Sequence, residues 1–464
     1  MNNMTEVIAA ISTPPGKGGV AVIRMSGEGA FDVAKASFVS ASGKSISDYP
    51  GRYQIYGEIV EDGEVIDDVL LTCFYAPNSY TGEDLVEISC HGGVYVTKAV
   101  LQVLFRNGAT PAEAGEFTRR AFINGKLSLT EAEAIGNLLE ATGKSSLTLH
   151  KSTSRKRLSE KIEEQRAALT DLLSSAFARI DYPDEDLGDF SDEELALRLS
   201  KIKTETVKLI STYRAGRAIT EGVSTVICGK PNVGKSSLYN LILGEDAAIV
   251  TDIEGTTRDV LERTVSLGTV TLRLADTAGV RSSDAIDKVE MIGIEKSLKM
   301  IEKCELLFAI FDLSRPFDKE DEAILAAIDR ASGSKIAVFN KSDMPVAFER
   351  EAVISHFDAS LTMSALEDGD DAAAKIAELV DHLFINEKID IKNDAVISSA
   401  RQYSTLLRAL DFINLAIEAL AIGIPQDAVA ADIERALGAI AELDGRGVSE
   451  EVVGDIFAKF CVGK

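Results

Sequence analysis

The residues with the clearest chemical capacity are Gly229-Lys230-Pro231-Asn232-Val233-Gly234-Lys235-Ser236, which fit G-x-x-x-x-G-K-[ST] and follow an apolar strand candidate, Ser224 to Cys228. Glycines at that spacing let successive backbone N–H groups turn inward on a phosphate. Lys235 then reaches the β- and γ-phosphates, and the Ser236 hydroxyl ligates Mg²⁺. A helix expected from Ser237 onward adds the positive end of its dipole. The chemistry open to such a cradle is binding of a nucleoside triphosphate and transfer of its γ-phosphoryl group.

Three further motifs follow in order. A strand candidate, Val270 to Ala275, runs into Asp276-Thr277-Ala278-Gly279, a D-x-x-G turn in which Asp276 holds Mg²⁺ through water and the Gly279 N–H meets the γ-phosphate. A buried-strand candidate, Ile336 to Phe339, delivers Asn340-Lys341-Ser342-Asp343. The Asp343 carboxylate can accept from guanine N1–H and N2; adenine offers no such pair and would leave a desolvated charge. Ser364-Ala365 suits a backbone clamp on the guanine oxygen, and Thr257 in Gly255-Thr256-Thr257-Arg258-Asp259 is spaced to complete the Mg²⁺ shell. After Gly279 comes Val280, where Ras-like enzymes carry a water-orienting glutamine. Valine cannot orient water, so hydrolysis is slow or the orienting group lies elsewhere. Asn232 is either a turn residue or a ligand, and Glu290 either a solvated helix position or the missing water-orienting group.

Taken with Thr13-Pro14-Pro15-Gly16-Lys17-Gly18-Gly19, Gly115-Glu116-Phe117-Thr118-Arg119-Arg120-Ala121-Phe122 and the closing Cys461-Val462-Gly463-Lys464, these motifs make the chain resemble, over nearly its whole length, the MnmE (TrmE) family of tRNA-modification GTPases. The resemblance implies a GTP-contacting set of Asn232, Val233, Gly234, Lys235, Ser236, Ser237, Thr251, Asp252, Ile253, Glu254, Gly255, Thr256, Thr257, Asp276, Thr277, Ala278, Gly279, Asn340, Lys341, Asp343, Ser364 and Ala365. It implies K⁺ in place of an arginine finger, held by Asn232, Thr251, Ile253 and Thr256 when two G domains meet, and Glu290, in Val289-Glu290-Met291-Ile292-Gly293, as the residue that orients water. A monovalent cation can do a guanidinium's work between β- and γ-phosphate oxygens, where charge accumulates during transfer.

It further implies a homodimer whose N-terminal domains bind a tetrahydrofolate derivative (5,10-methylene or 5-formyl form) through Arg24, Glu87, Lys126 and Lys464. An FAD-dependent, MnmG-like partner and tRNA complete the expected assembly, which adds a carboxymethylaminomethyl group to C5 of the wobble uridine of certain tRNAs. Lys17 stands where relatives often have arginine, so a bidentate contact at that loop is in question. Cys461 is a redox-active group, a nucleophile or a small side chain on an exposed tail.

Positioning these groups requires several domains. The 464 residues exceed one core, and about 150 residues per domain suggests three. Strand-like Val20 to Met25, Val69 to Tyr75 and Leu85 to Ser89 with a helical pattern near Val94 to Arg106 read as a small α/β domain. Apolar positions from Leu158 to Ile180, a helix candidate Glu193 to Arg217, and helical spacing from Leu406 to Ile417 and from Ala428 to Leu443 read as helices with one buried stripe each. Those stripes can bury one another if the nucleotide module is looped out between them. The fold class expected is therefore multidomain α/β: an N-terminal α/β domain (1–121), to which the resemblance assigns folate binding and dimerisation, a discontinuous helical bundle (122–216 and 387–464), and an inserted Ras-like P-loop G domain (217–386).

Composition narrows the class further. No run approaches the roughly 20 apolar residues of a membrane span and the first residues lack a secretory pattern, so a cytoplasmic protein is expected. Cys73, Cys90, Cys228, Cys304 and Cys461 form no C-x-x-C pair, which argues against a zinc ribbon or redox dithiol. A net charge of −25 opposes general attraction to a polyanion, so any RNA contact is local or shared. The densest basic run, Lys151 to Arg157, opens a helix candidate and is either such a patch or a solvated face. The alternative function is an Era-like switch docking on ribosomal RNA without modification chemistry. Against it, residues 393–464 carry Glu418, Asp427, Asp432, Glu434, Glu442 and Asp444 rather than a basic module.

Overall fold

A computed structural model describes residues 6–139, 141, 143–154, 156–181, 191–244, 262–275, 300–385 and 389–463. The chain divides into two compact units, Met1–Gly136 with Ile440–Lys464, and Asn137–Ala439.

The first unit holds a seven-stranded sheet in the order β3-β4-β5-β6-β2-β1-β7, formed by β1 (Ile8–Ile11), β2 (Val20–Ser26), β3 (Phe38–Ser40), β4 (Gln54–Glu61), β5 (Glu64–Phe74), β6 (Leu85–His91) and β7 (Thr110–Pro111). The period of two along β2 and β6 explains its faces: Ile23, Met25, Val86 and Ile88 enter the core, while Arg24 and Glu87 point the other way and pair in register. Helices α1 (Ala30–Ser37) and α2 (Val94–Arg106) cover the apolar face through Ala30, Ala34, Val100, Val103 and Leu104. Helices α3 (Glu116–Ile123) and α4 (Leu129–Leu139) follow.

The second unit opens with α5 (Lys144–Ser154), α6 (Arg157–Asp181), α7 (Asp192–Ser211) and α8 (Tyr213–Thr220). Its six-stranded sheet, ordered β13-β12-β11-β8-β10-β9, is formed by β8 (Val223–Gly229), β9 (Glu262–Leu267), β10 (Val270–Ala275), β11 (Leu306–Asp312), β12 (Ser334–Asn340) and β13 (Ala359–Thr362). All neighbours run parallel except the β9/β10 pair. Buried on both faces, β11 and β12 read as nearly unbroken apolar runs. Phe308, Phe311 and Phe339 are fully buried there, and each such side chain contributes about 1.5–3 kcal/mol. Helices α9 (Lys235–Leu243), α10 (Lys319–Ile328) and α11 (Gly369–Phe384) flank the sheet. Beyond it lie α12 (Ala400–Ala421), α13 (Gln426–Leu443) and, back in the first unit, α14 (Glu450–Phe457).

The apolar stripes of α7 and α12 face one another, and Tyr213 at the start of α8 stacks on Tyr403 of α12 at 4.3 Å. Two local expectations fail. The helix expected over Glu193 to Arg217 breaks at Thr212, whose hydroxyl donates to the Leu209 carbonyl (2.7 Å) and accepts from the Ile397 N–H (3.1 Å), competing with the helical ladder. The basic run does not open a helix but spans the end of α5 and the start of α6, because Lys156 adopts φ 72°.

Candidate functional site

The strand order reverses at β8, which has β10 on one side and β11 on the other, and ligands of such sheets bind in the crevice beyond the strand ends at that point. The Gly-rich turn leaves β8 there. Gly229 has φ 145°, and a Cβ would meet the Ile310 carbonyl at 2.6 Å. The turn closes through Asn232 at φ 63° and Gly234 at φ 110° into α9. The Lys235 ammonium lies back over the loop, donating to the carbonyls of Gly229 (2.8 Å) and Lys230 (2.6 Å). Ser236 and Ser237 are exposed in the first turn of α9, Val233 is buried, and Asn232 is exposed.

One side chain joins this cradle to the loops expected to read a base. Asn340, 4% exposed at the end of β12, donates from Nδ2 to the Val233 carbonyl (2.8 Å) and accepts at Oδ1 from the Ala365 N–H (3.0 Å). Ser364 donates its N–H to Asp368 at 2.6 Å, while its buried hydroxyl has no partner among the described residues. Both amides expected to clamp the guanine oxygen are thus engaged within the chain. Asp343, expected to accept from base N–H groups, is exposed. Lys341, at φ 63°, donates to Asp312 Oδ2 at 2.6 Å. Burial pushes the Asp312 carboxyl up, but Lys341 and Ser314 outweigh it and hold it below the usual range.

Two residues of the loop's surroundings escaped the sequence. Lys230, at a position where the motif accepts any residue, reaches Asp318 and Asp321, each at 2.7 Å. These aspartates form the capping box of α10, so the cradle is tied to that helix start. Burial pulls the Lys230 ammonium down, and its two aspartates more than restore it. Asp312 was also missed. The available signal was a carboxylate ending an apolar run, Leu306 to Phe311, at the edge of the crevice.

In the first unit, Arg24 and Glu87 are brought together as each other's partners, Arg24 Nη2 lying 2.8 Å from Glu87 Oε1. The guanidinium carbon sits 5.2 Å from the Tyr80 ring centroid and 5.7 Å from that of Phe117. Lys126 is exposed and donates to the Pro77 carbonyl at 2.9 Å. Beside this pair Arg120, 3% exposed, contacts Glu83 (3.1 Å) and Glu116 (2.9 Å), an ion network that spacing alone did not reveal. The chain end docks on the same unit: Val462 bridges Ala114, and Ser12 Oγ donates to the Gly463 carbonyl at 3.0 Å. Gly463 is required there, since a Cβ would lie 2.3 Å from the Ile11 carbonyl.

Residues 7–126 match the family model of the GTP-binding protein TrmE N-terminus, and residues 129–461 match that of the MnmE helical domain. The tRNA modification GTPase MnmE of Clostridioides difficile is 38% identical over 461 residues, covering 99% of both chains. That of Finegoldia magna is 39% identical over 464 residues, covering 99% of this chain and 100% of its own. The chain belongs to the MnmE family. Among solved structures, an Aquifex aeolicus Era variant bound to GDP and AlF₄⁻ is 21% identical over 42% of this chain and 67% of that one, with a TM-score of 0.26.

For this MnmE-family chain, Thr251, Asp252, Ile253, Glu254, Gly255, Thr256, Thr257, Asp276, Thr277, Ala278, Gly279, Val280, Glu290 and Lys464 lie outside the described residues. Cys461 is exposed, whereas Cys73 and Cys304 are buried and their thiols pushed up to about 11 by that burial. No cluster of His, Cys, Asp and Glu suited to a metal occurs among the described residues, and no helix among them is long and apolar enough to cross a membrane.

Proposed function

We propose that the chain is a K⁺-assisted GTP hydrolase that, with an FAD-dependent MnmG-like partner, adds a carboxymethylaminomethyl group to C5 of the wobble uridine of certain tRNAs. The observation that carries the nucleotide part is the Asn340 carboxamide, which spans the Val233 carbonyl and the Ala365 amide and so wraps phosphate loop and base loops around one crevice. The tRNA part rests on family membership.

In this mechanism Lys235 and the cradle N–H groups hold the phosphates, and Asp343 accepts from the guanine. Ser236 and Thr257, with Asp276 through water, would hold Mg²⁺, which would supply charge neutralisation on the phosphates. Ser236 fits that role, being exposed on the first turn of α9. Glu290 orients water for attack on the γ-phosphorus, and as that P–O bond forms the bond to the β–γ bridging oxygen breaks. Asn232, Thr251, Ile253 and Thr256 would hold K⁺ when two G domains meet, and the ion would supply the positive charge of an arginine finger. The described donor fits: Asn232 is exposed and its carboxamide makes no hydrogen bond among the described residues. Hydrolysis makes no bond on uridine; it closes and opens paired G domains.

The helices flanking the G domain pack on one another, which supports reading residues 217–386 as an insertion in a helical domain formed by 122–216 and 387–464. Residues 1–121 are the folate-binding and dimerising part in this scheme, and the protein acts in the cytoplasm. Arg24 and Glu87, with Tyr80 beside them, offer a cation, an acceptor for pterin N–H groups and an aromatic wall, and Lys126 and Lys464 would meet glutamate carboxylates. A tetrahydrofolate one-carbon unit bound there would supply the added carbon, and Cys461 is available for a redox or nucleophilic role.

Nucleoside analysis of tRNA from a strain lacking this gene tests the function. Loss of the carboxymethylaminomethyl group from wobble uridine, restored by the intact gene, is expected. Normal nucleosides with accumulation of ribosomal subunits would favour the Era-like alternative instead.

A further inference from the structure

Asp312 and Asn340 are register partners at the ends of β11 and β12, so the two strands deliver a carboxylate and the base-reading turn side by side. Asp312 is 3% exposed at its side chain, a depth at which a carboxylate is retained only if its oxygens are satisfied. Here they are. Oδ1 accepts from the Ser314 N–H (3.0 Å) and hydroxyl (2.6 Å), and Oδ2 accepts from Lys341 Nζ (2.6 Å) with Arg315 Nε at 3.5 Å. The carboxylate is thereby oriented from two sides. Lys341, its main partner, is also the residue forced into a left-handed backbone at φ 63°, a conformation that persists only when the surroundings over-determine it. Lys341 lies between Asn340, which holds the cradle, and the exposed acceptor Asp343. With its ammonium fixed and its backbone turn fixed, the four-carbon stem has little freedom left.

We propose that Asp312 is a positioning residue for guanine-nucleotide affinity: it anchors the Lys341 ammonium so that the lysine stem forms a preset apolar wall against the base. The role rests on the nucleotide reading above. Without the anchor, the stem's rotamers must be ordered at each binding event, and the cost appears in affinity rather than in the chemical step.

The test uses the full-length chain, with a fluorescent GDP analogue for affinity, GTP hydrolysis for KM and kcat, and thermal melting of every variant. Asp312→Asn is expected to weaken GDP binding about tenfold and raise KM, with kcat at saturating GTP within about twofold of the parent. Lys341→Met is expected to weaken binding at least as much, and Asp312→Asn combined with it to cause no further loss. Asp312→Glu, which keeps the charge, should recover part of the affinity and stands in if the asparagine variant does not fold. Unchanged affinity in the Asn and Glu variants, additive losses in the double variant, or a fall in kcat alone would overturn the role of Asp312. Failure of the parent chain to bind GDP would instead overturn the nucleotide reading itself.

Discussion

Gly234 is fixed by two separate demands. Its φ of 110° suits only glycine, and a Cβ there would stand 2.1 Å from Asn340 Nδ2. Gly234→Ala would therefore strain the backbone and push out the side chain that links cradle and base loops. We expect GDP affinity to fall about tenfold or more, or about 1.4 kcal/mol, measured by titration with a fluorescent GDP analogue; parental affinity would show that the loop tolerates displacement of Asn340. At this scale the glycines of the motif were legible in sequence, since Gly229 and Gly234 take the positive φ that the tight turn needs; Lys235 toward phosphate and Asp343 toward the base belong to the proposed mechanism. Asp312, Asp318 and Asp321 were not, because each acts on a motif lysine from another element, and pairing across strands or helices leaves no trace in local spacing. The Arg24–Glu87 pair was half legible: both residues were singled out, but that they face each other depends on the β2/β6 register.

Elements were read best where one periodicity dominated. The helix over Val94 to Arg106 and the strand over Val270 to Ala275 appear with the expected bounds, since each carries its buried apolar residues at the spacing of a single periodicity. The break at Thr212 was hidden because it depends on the Ile397 amide, 185 residues away. Helix α5 supplies a test of its own. His150, 3% exposed, is held neutral by burial, which lowers its pKa from 6.5 to about 4. Above pH 6.5 neither the folded nor the unfolded chain protonates it, so it imposes no penalty. As the pH falls below 6.5 the unfolded chain takes up a proton that the folded one refuses, and stability is lost until the pH passes about 4. Between pH 7.5 and pH 5 this amounts to about 2 kcal/mol. Urea melts at those two pH values should show His150→Leu losing that much less stability than the parent; equal losses would mean that the ring gains a proton without unfolding.

For the whole molecule, chain length and the change from strand-like to helical composition made a multidomain α/β protein legible, whereas the assignment of the last helix and the tail to the N-terminal unit was not. That assignment depends on fits such as Gly463 against the Ile11 carbonyl and Gly115 beneath Phe457, which no local pattern encodes. What unites the account is an active site with valine where water-orienting glutamine is expected, and an exposed asparagine in the phosphate loop. Such a site hydrolyses GTP slowly unless groups elsewhere orient water and stabilise charge, and a monovalent cation at Asn232 is the proposed charge stabiliser. The most direct measurement is the rate of GTP hydrolysis by the full chain in K⁺ and in Na⁺ at equal ionic strength, with Asn232→Ala beside the parent. Turnover about tenfold or more faster in K⁺, with that preference lost in the variant, is the predicted result; equal turnover in the two salts would contradict it.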